Sequence, residues 1–298
     1  MHKLRQVWAV CAYNFRQWWK NPRIFIVFAM ALVLCFLLSD KAVQFAIEQG
    51  TTMQLVEAFV WTFGDSTSIL LTSLLLILLF ADMPFITMGT PFFLMRTSRK
   101  VWLTGQILYI VLATALYMVF ILTATCVMCA RISFVGNQWS ETAAILGYSG
   151  AGKNIALPAS VKTMELSRPY ACMGSIFLLM LLYTLLLVVI MLAVNIRKGQ
   201  RWSVGAVFAF SAFGILLKSD IFMQVFDIPD KLVYKANVAI GWLSPLNHAT
   251  YHMHNFGYDM LPTLEQTYLV FGSLILLILW IAMVSIRNYN FNFIGNES

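Results

Sequence analysis

Long apolar runs separated by short polar ones dominate this chain. Six of them, at about 24–40, 66–88, 105–130, 173–196, 203–218 and 267–286, approach or exceed the length of an apolar helix that crosses a bilayer. About 20 such residues traverse ~30 Å of hydrocarbon. The pattern predicts an all-α, polytopic membrane bundle of six spans over residues 24–298. The fifth run is short and rich in Gly and Ser, so it is the weakest of the six.

The stretches between the runs also carry pattern. In residues 3–22, Leu4, Trp8, Cys11, Phe15, Trp18 and Trp19 recur at helical spacing, with Arg5, Arg16 and Lys20 around the other side. Such a helix lies in the membrane interface, and Pro22 is expected to break it before the first span. Residues 1–23 are therefore read as a cytoplasmic interfacial helix. This basic lead is long for the n-region of a signal peptide, and no small-x-small site follows Leu38. The first run is expected to remain as a span. Before the last run, Val238–Pro245 and Ala249–Phe256 are apolar pieces too short to cross. Short pieces of this kind predict re-entrant or interfacial helices.

Composition agrees with that class: 60% of the 298 residues are hydrophobic, 11% are charged, and the mean hydropathy is +0.77. The net charge of +7 invites a nucleic-acid reading, but its distribution argues for topology instead. With the N-terminus inside, 12 of the 20 basic residues fall on the short cytoplasmic segments, whereas 11 of the 13 acids fall on the longer outer loops. This is the positive-inside bias, and it places both termini in the cytoplasm and leaves no role for nucleic acid. No cytoplasmic segment is long enough for a folded domain of its own. Charge is absent from the centres of the runs, which disfavours ion-coupled carriers and intramembrane hydrolases.

The most informative stretch is Ala81 to Gln106. Asp82 closes the second run, Gly89-Thr90-Pro91 makes a turn, and Pro91 is suited to open a short helix. Phe92, Phe93 and Leu94 follow, then Arg96, Arg99 and Lys100, then Gly105-Gln106 at the start of the third run. Apolar side chains on a short basic loop call for a partner surface. In these positions the chain resembles the permease subunits of type-2 ABC transporters, with Asp82 standing where Glu is commoner. The wider layout, an interfacial helix, six spans and a re-entrant pair before the sixth, resembles that family too. The outer loop at 131–172 departs from it and is expected to form an additional cap.

The resemblance implies a fold and a function. It implies a non-enzymatic permease of a bacterial cell membrane, paired with a second permease chain and with a separate ABC-type ATPase subunit that binds the ATP. Asp82, Thr90, Phe92, Phe93, Arg96, Arg99 and Lys100 would form the ATPase-coupling loop. Pro245, His248, His252 and His254 would belong to an extracellular gate. Apolar spans carrying Thr, Ser, Tyr and Met suit an amphipathic cargo such as a peptide, lipid or drug, and outward transport is implied by the same likeness. The other reading of the chain is a polytopic assembly or sensor subunit without transport.

Several motifs weigh less. His248 and His252 are four residues apart and are expected to share a helix face; three or four placed ligands would be needed for zinc, so no metal is expected. Cys126-x-x-Cys129 lies at the end of an apolar helix without a second pair, which favours packed thiols. Gly147 to Asn154 approaches a phosphate-binding loop but ends in Asn154 where Ser or Thr would hold a metal, and no strand leads into it. Asn296-Glu297-Ser298 matches a glycosylation acceptor but is expected in the cytoplasm.

Overall fold

A computed structural model describes residues 2–289 apart from positions 88, 156, 158, 160, 228 and 258. The Asn296-Glu297-Ser298 motif and the side chains of Lys153 and Asn154 lie outside what is described. The chain is helical almost throughout. In order it forms α1 (His2–Arg16), α2 (Pro22–Gln49), α3 (Glu57–Phe63), α4 (Ser66–Phe80), α5 (Thr90–Arg96) and α6 (Arg99–Cys129). There follow α7 (Glu141–Tyr148), α8 (Ala151–Asn154), α9 (Val161–Leu166), α10 (Pro169–Lys198) and α11 (Gln200–Leu216). The chain finishes with α12 (Ser219–Val225), α13 (Val233–Leu243), α14 (Pro245–Ala249) and α15 (Leu264–Ser285). Two-residue strands β1 (Met53–Gln54) and β2 (Ser133–Phe134) pair in parallel.

Among the described residues, α2, α6, α10 and α15 are each long and apolar enough to cross a membrane. A fifth candidate is the pair α3–α4, whose axes differ by 87°. The bend has a local cause. Asp65 caps α4 by accepting hydrogen bonds from the Thr67 and Ser68 amides at 3.0 and 3.4 Å. A Cβ at Gly64 would stand 2.6 Å from the Val60 carbonyl oxygen, so a larger residue does not fit the corner.

The boundaries differ from the hydropathy reading in three places. The run at 66–88 stays helical only to Phe80; Ala81–Thr87 is irregular and contains a cis Met83–Pro84 peptide, although its residues are mostly apolar. The run at 203–218 is the 17-residue α11, about 26 Å long and short of the ~30 Å of hydrocarbon. Pro22 does not break the first helix. α1 ends at Arg16, a single 3-10 turn carries Trp18–Lys20, and Pro22 opens α2, with Asn21 accepting from the Arg23 amide at 3.1 Å. Proline suits a helix's first turn, where an amide hydrogen has no partner to lose.

α10 is the axis of the bundle. Of its most apolar stretch, 67% is buried against other helices, compared with 28% in α2 and 17% in α15. The outer faces of α2 (Phe25, Met30, Val33, Phe36) and α15 (Leu276, Leu277, Trp280) are exposed apolar surface. Apolar surface this continuous belongs in lipid or against another chain.

The contacts divide the molecule into two ends. At one, Arg23 and Gln200 both donate to the Asp82 carboxylate. There too Arg197 Nε donates to Ser285 Oγ at 2.8 Å and Arg99 Nη1 to the Arg287 carbonyl at 2.7 Å. At the other end the 131–172 loop folds into a helical cap. Its Ser140 donates amide and hydroxyl to the buried Glu57 carboxylate, and Gln54 Nε2 donates to the Gly136 carbonyl at 2.9 Å. Trp61 and Trp139 rings meet at 5.1 Å. Gly147–Asn154 is the end of α7 and the short α8, so a helix and not a strand leads into it.

Candidate functional site

The turn after α4 is built around one carboxylate. Asp82 takes hydrogen bonds from Arg23 at the start of α2 and Gln200 at the start of α11, while Asn195 of α10 donates to the Ala81 and Met83 carbonyls. One short turn thereby ties four helices. Thr90 is buried; its hydroxyl accepts the Thr87 amide at 2.9 Å and closes the turn into α5.

α5 itself has two unlike faces. Phe93 meets Tyr13 of α1 edge-on, with ring centroids 5.2 Å apart. A Cβ at Gly89 would lie 2.7 Å from the Tyr13 hydroxyl, so the turn and α1 touch closely. The Arg96 carbonyl accepts from Gln6 Nε2 at 3.1 Å. On the opposite face Phe92 is 66% exposed and Met95 75% exposed, and the Arg96 and Lys100 side chains stand beside them in solvent. Four of the expected loop residues thus have structural roles: Asp82 ties the helices, Thr90 closes the turn, Phe93 packs on Tyr13, and Arg99 clasps the end of α15, reaching the Tyr289 carbonyl at 3.2 Å as well.

α1 is fastened to the first turns of α6. Asn14 Nδ2 donates to Gln106 Oε1 at 2.9 Å, Gln106 Nε2 donates to the Phe85 carbonyl at 3.3 Å, and Trp18 Nε1 donates to the Tyr109 hydroxyl at 2.8 Å. The stripe read from the sequence is divided by this docking: Cys11, Phe15 and Trp18 pack inward, whereas Leu4, Trp8 and Trp19 are exposed. A cavity of about 250 Å³ opens beside Lys20, Asn21 and Phe85.

At the far end, Pro245 opens α14, and Ser244 caps it by accepting the Asn247 amide and donating to the Gly214 carbonyl of α11 at 3.2 Å. α14 ends at Ala249, so His248 and His252 do not share a helix face; His252 sits on a separate 3-10 turn, Tyr251–Met253. The helical spacing fails because Thr250 is extended and redirects the chain. The structure instead brings His248 and His254 to one residue, Thr267 of α15, whose hydroxyl lies 2.8 Å from His248 Nδ1 and 3.0 Å from His254 Nε2. Both imidazoles are buried, and burial lowers each pKa, that of His254 to about 4.

Thr267, Glu57, Asn195 and Gln200 had no signal in the sequence beyond being polar residues in or beside apolar runs. Among the described residues no group of three or more His, Cys, Asp or Glu side chains is arranged to hold a metal ion. Comparison of the chain with protein-family models, with curated proteins and with solved structures yields no match.

Proposed function

We propose that the chain is the membrane-spanning permease subunit of an ATP-driven transporter of the type-2 ABC kind. ATP is bound and hydrolysed by a separate ATPase subunit, and a second permease chain completes the pathway. The cargo is amphipathic, such as a peptide, lipid or drug, and moves outward across a bacterial cell membrane with both termini of this chain in the cytoplasm.

The observation that carries this reading is α5. A two-turn helix is held out at the basic end of the bundle, anchored on one face to α1 and presenting Phe92 and Met95 on the other. An exposed apolar pair beside Arg96 and Lys100 suits a groove on a soluble partner. Through Thr90 and the Asp82 turn, a push on α5 reaches α2, α4, α10 and α11 together.

Six crossings are supported by the arrangement of the ends. Arg23, Asp82, Arg99, Arg197 and Arg287 lie at one end, so the chain leaves that end at Gln200 and returns to it through α15. α11 is then the outward crossing despite its 17 residues. The α1 helix, fastened to α6 with Leu4 and Trp8 exposed, suits the interface.

Purification of the tagged chain in mild detergent tests the proposal. A co-purifying ATPase whose ATP turnover depends on the permease, and whose retention drops at least tenfold in the F92A/M95A variant, is the expected result. A chain that purifies without an ATPase, from cells that hold its whole operon, favours the assembly or sensor reading.

A further inference from the structure

Hydrogen bonding at the outer end obeys a proton count that ordinary neutral side chains do not satisfy. His248 Nε2 lies 3.0 Å from the Trp242 carbonyl oxygen. His254 Nδ1 lies 3.0 and 3.1 Å from the Thr250 and Tyr251 carbonyl oxygens. A carbonyl only accepts, so each of these ring nitrogens carries a hydrogen. In a neutral imidazole the other nitrogen is then bare. Both bare nitrogens, His248 Nδ1 and His254 Nε2, face the single Thr267 hydroxyl at 2.8 and 3.0 Å.

One hydroxyl has one hydrogen. It donates to one imidazole, and the other nitrogen then meets the Thr267 oxygen lone pair to lone pair. Moving hydrogens among the tautomers only relocates the deficit, because the contacts running from Trp242 to Tyr251 require one hydrogen more than a neutral His-Thr-His set contains. Thr267 is fully buried.

We infer that His248, Thr267 and His254 form a binding site for one proton, taken up from the outer side, that completes the hydrogen bonds joining α14 and the turn after it to α15. With the proton on His254, Nε2–H donates to Thr267 Oγ1 and the Thr267 hydroxyl donates to His248 Nδ1. Reversing both bonds puts the charge on His248 at no cost in bonding, so the proton is shared and the pair titrates together. The site rests on the buried geometry and not on the transport reading; only the side from which the proton arrives rests on the proposed topology.

Burial opposes the charge and the completed bonds favour it. Neighbouring groups contribute in both directions. The His252 imidazole disfavours charge on His254, and His252 itself feels Asp65 at the start of α4, which favours its charge, and Lys162 of the cap, which opposes it. Lys162 is ion-paired with Asp259 and donates to the His254 carbonyl at 3.4 Å. From α10 come Cys172 and Tyr183, from α15 Glu265 and Tyr268, and from the 3-10 turn Tyr251. α13 brings Tyr234 and Lys235 on its exposed side, and the lone charge of α11, Arg201, sits at the opposite end. The shared midpoint is therefore expected below the ordinary histidine value near 6.5.

Nitrogen-15 NMR of histidine-labelled full-length protein in nanodiscs tests this, with H248Q and H254Q for assignment. At pH 7.5 His248 is expected as the Nε2–H tautomer and His254 as the Nδ1–H tautomer. On acidification both ring signals are expected to move with one midpoint and with uptake of one proton in total. T267V removes the shared oxygen and is expected to lower the proton affinity about tenfold, while T267S restores it and H252Q leaves the shared titration in place. Opposite tautomers at pH 7.5 would overturn the site. So would two imidazoles that stay neutral to pH 4, or that titrate independently and indifferently to T267V.

Discussion

At the residue scale, Gly105 sets how closely α6 and α1 can pack. A Cβ there would lie 2.6 Å from the Val10 Cβ and 2.9 Å from the Val7 carbonyl oxygen. Neither is the yielding tip of a flexible side chain, so α1 must lift. Overpacking of this kind costs roughly 1–3 kcal/mol. G105A is expected to loosen α1 and to speed tryptic cleavage at Arg16 and Lys20 severalfold in purified protein; unchanged cleavage would show that α1 is not held at this point. The buried histidines set a second expectation. Their folded-state pKa values lie below the unfolded value, so the folded chain binds fewer protons than the unfolded one. Stability contributed here is present above about pH 6.5 and is lost as pH falls toward the folded midpoint. Each tenfold weakening of proton binding on folding is worth about 1.4 kcal/mol. Thermal unfolding between pH 7.5 and 4.5 should therefore show a falling midpoint. T267V, which lacks the bond that rewards protonation, should fall more steeply than T267S.

At the element scale, α5 separates two residues that the sequence presents as a pair. Phe92 and Phe93 are adjacent aromatics on a basic loop, and hydropathy treats them alike. Their helix turns by about 100° per residue, which sends Phe93 to Tyr13 and Phe92 into solvent. F92A is expected to impair ATPase retention and coupling by tenfold or more with a thermal midpoint near wild type. F93A is expected to lower the thermal midpoint by several degrees. Equal destabilisation by both would remove the case for Phe92 as a presented contact. α5 was legible in the sequence because Gly-Thr-Pro dictates a turn followed by a helix start. The end of α4 was not, since Met83, Phe85 and Ile86 are apolar whether helical or irregular. The link from His254 to Thr267 was hidden for a different reason: it joins residues 13 apart across an extended segment, where no periodicity applies. The long apolar helices were legible because a membrane demands unbroken apolarity, and a sequence displays that directly.

At the scale of the whole molecule, the decisive element is α11. Among the described residues four helices meet the length a bilayer requires, and the bent pair α3–α4 is a fifth candidate by composition. With α11 crossing, the basic end keeps α1, α5 and the end of α15 on one side, and the cap and the histidine site share the other. Without it, Lys3 and Phe226 would lie on the same side. Both positions are exposed, and among the five native cysteines four are buried and Cys126 is half-buried, so background labelling is low. In intact cells, a membrane-impermeant maleimide is expected to label F226C at once and K3C only after permeabilisation. Labelling of both under the same condition would mean that α11 stops short, that the six-crossing arrangement is wrong, and that the proton site faces the same compartment as α5. A 17-residue helix can cross only where the bilayer thins locally or neighbouring helices shield its ends. α11 has α10 along its length and α14 at its far end, where Leu246 would lie 3.1 Å from a Cβ at Gly214. That packing supplies the shielding a short crossing needs, and it makes the fit of α14 against α11 and α15 the feature on which the topology and the proton site jointly depend.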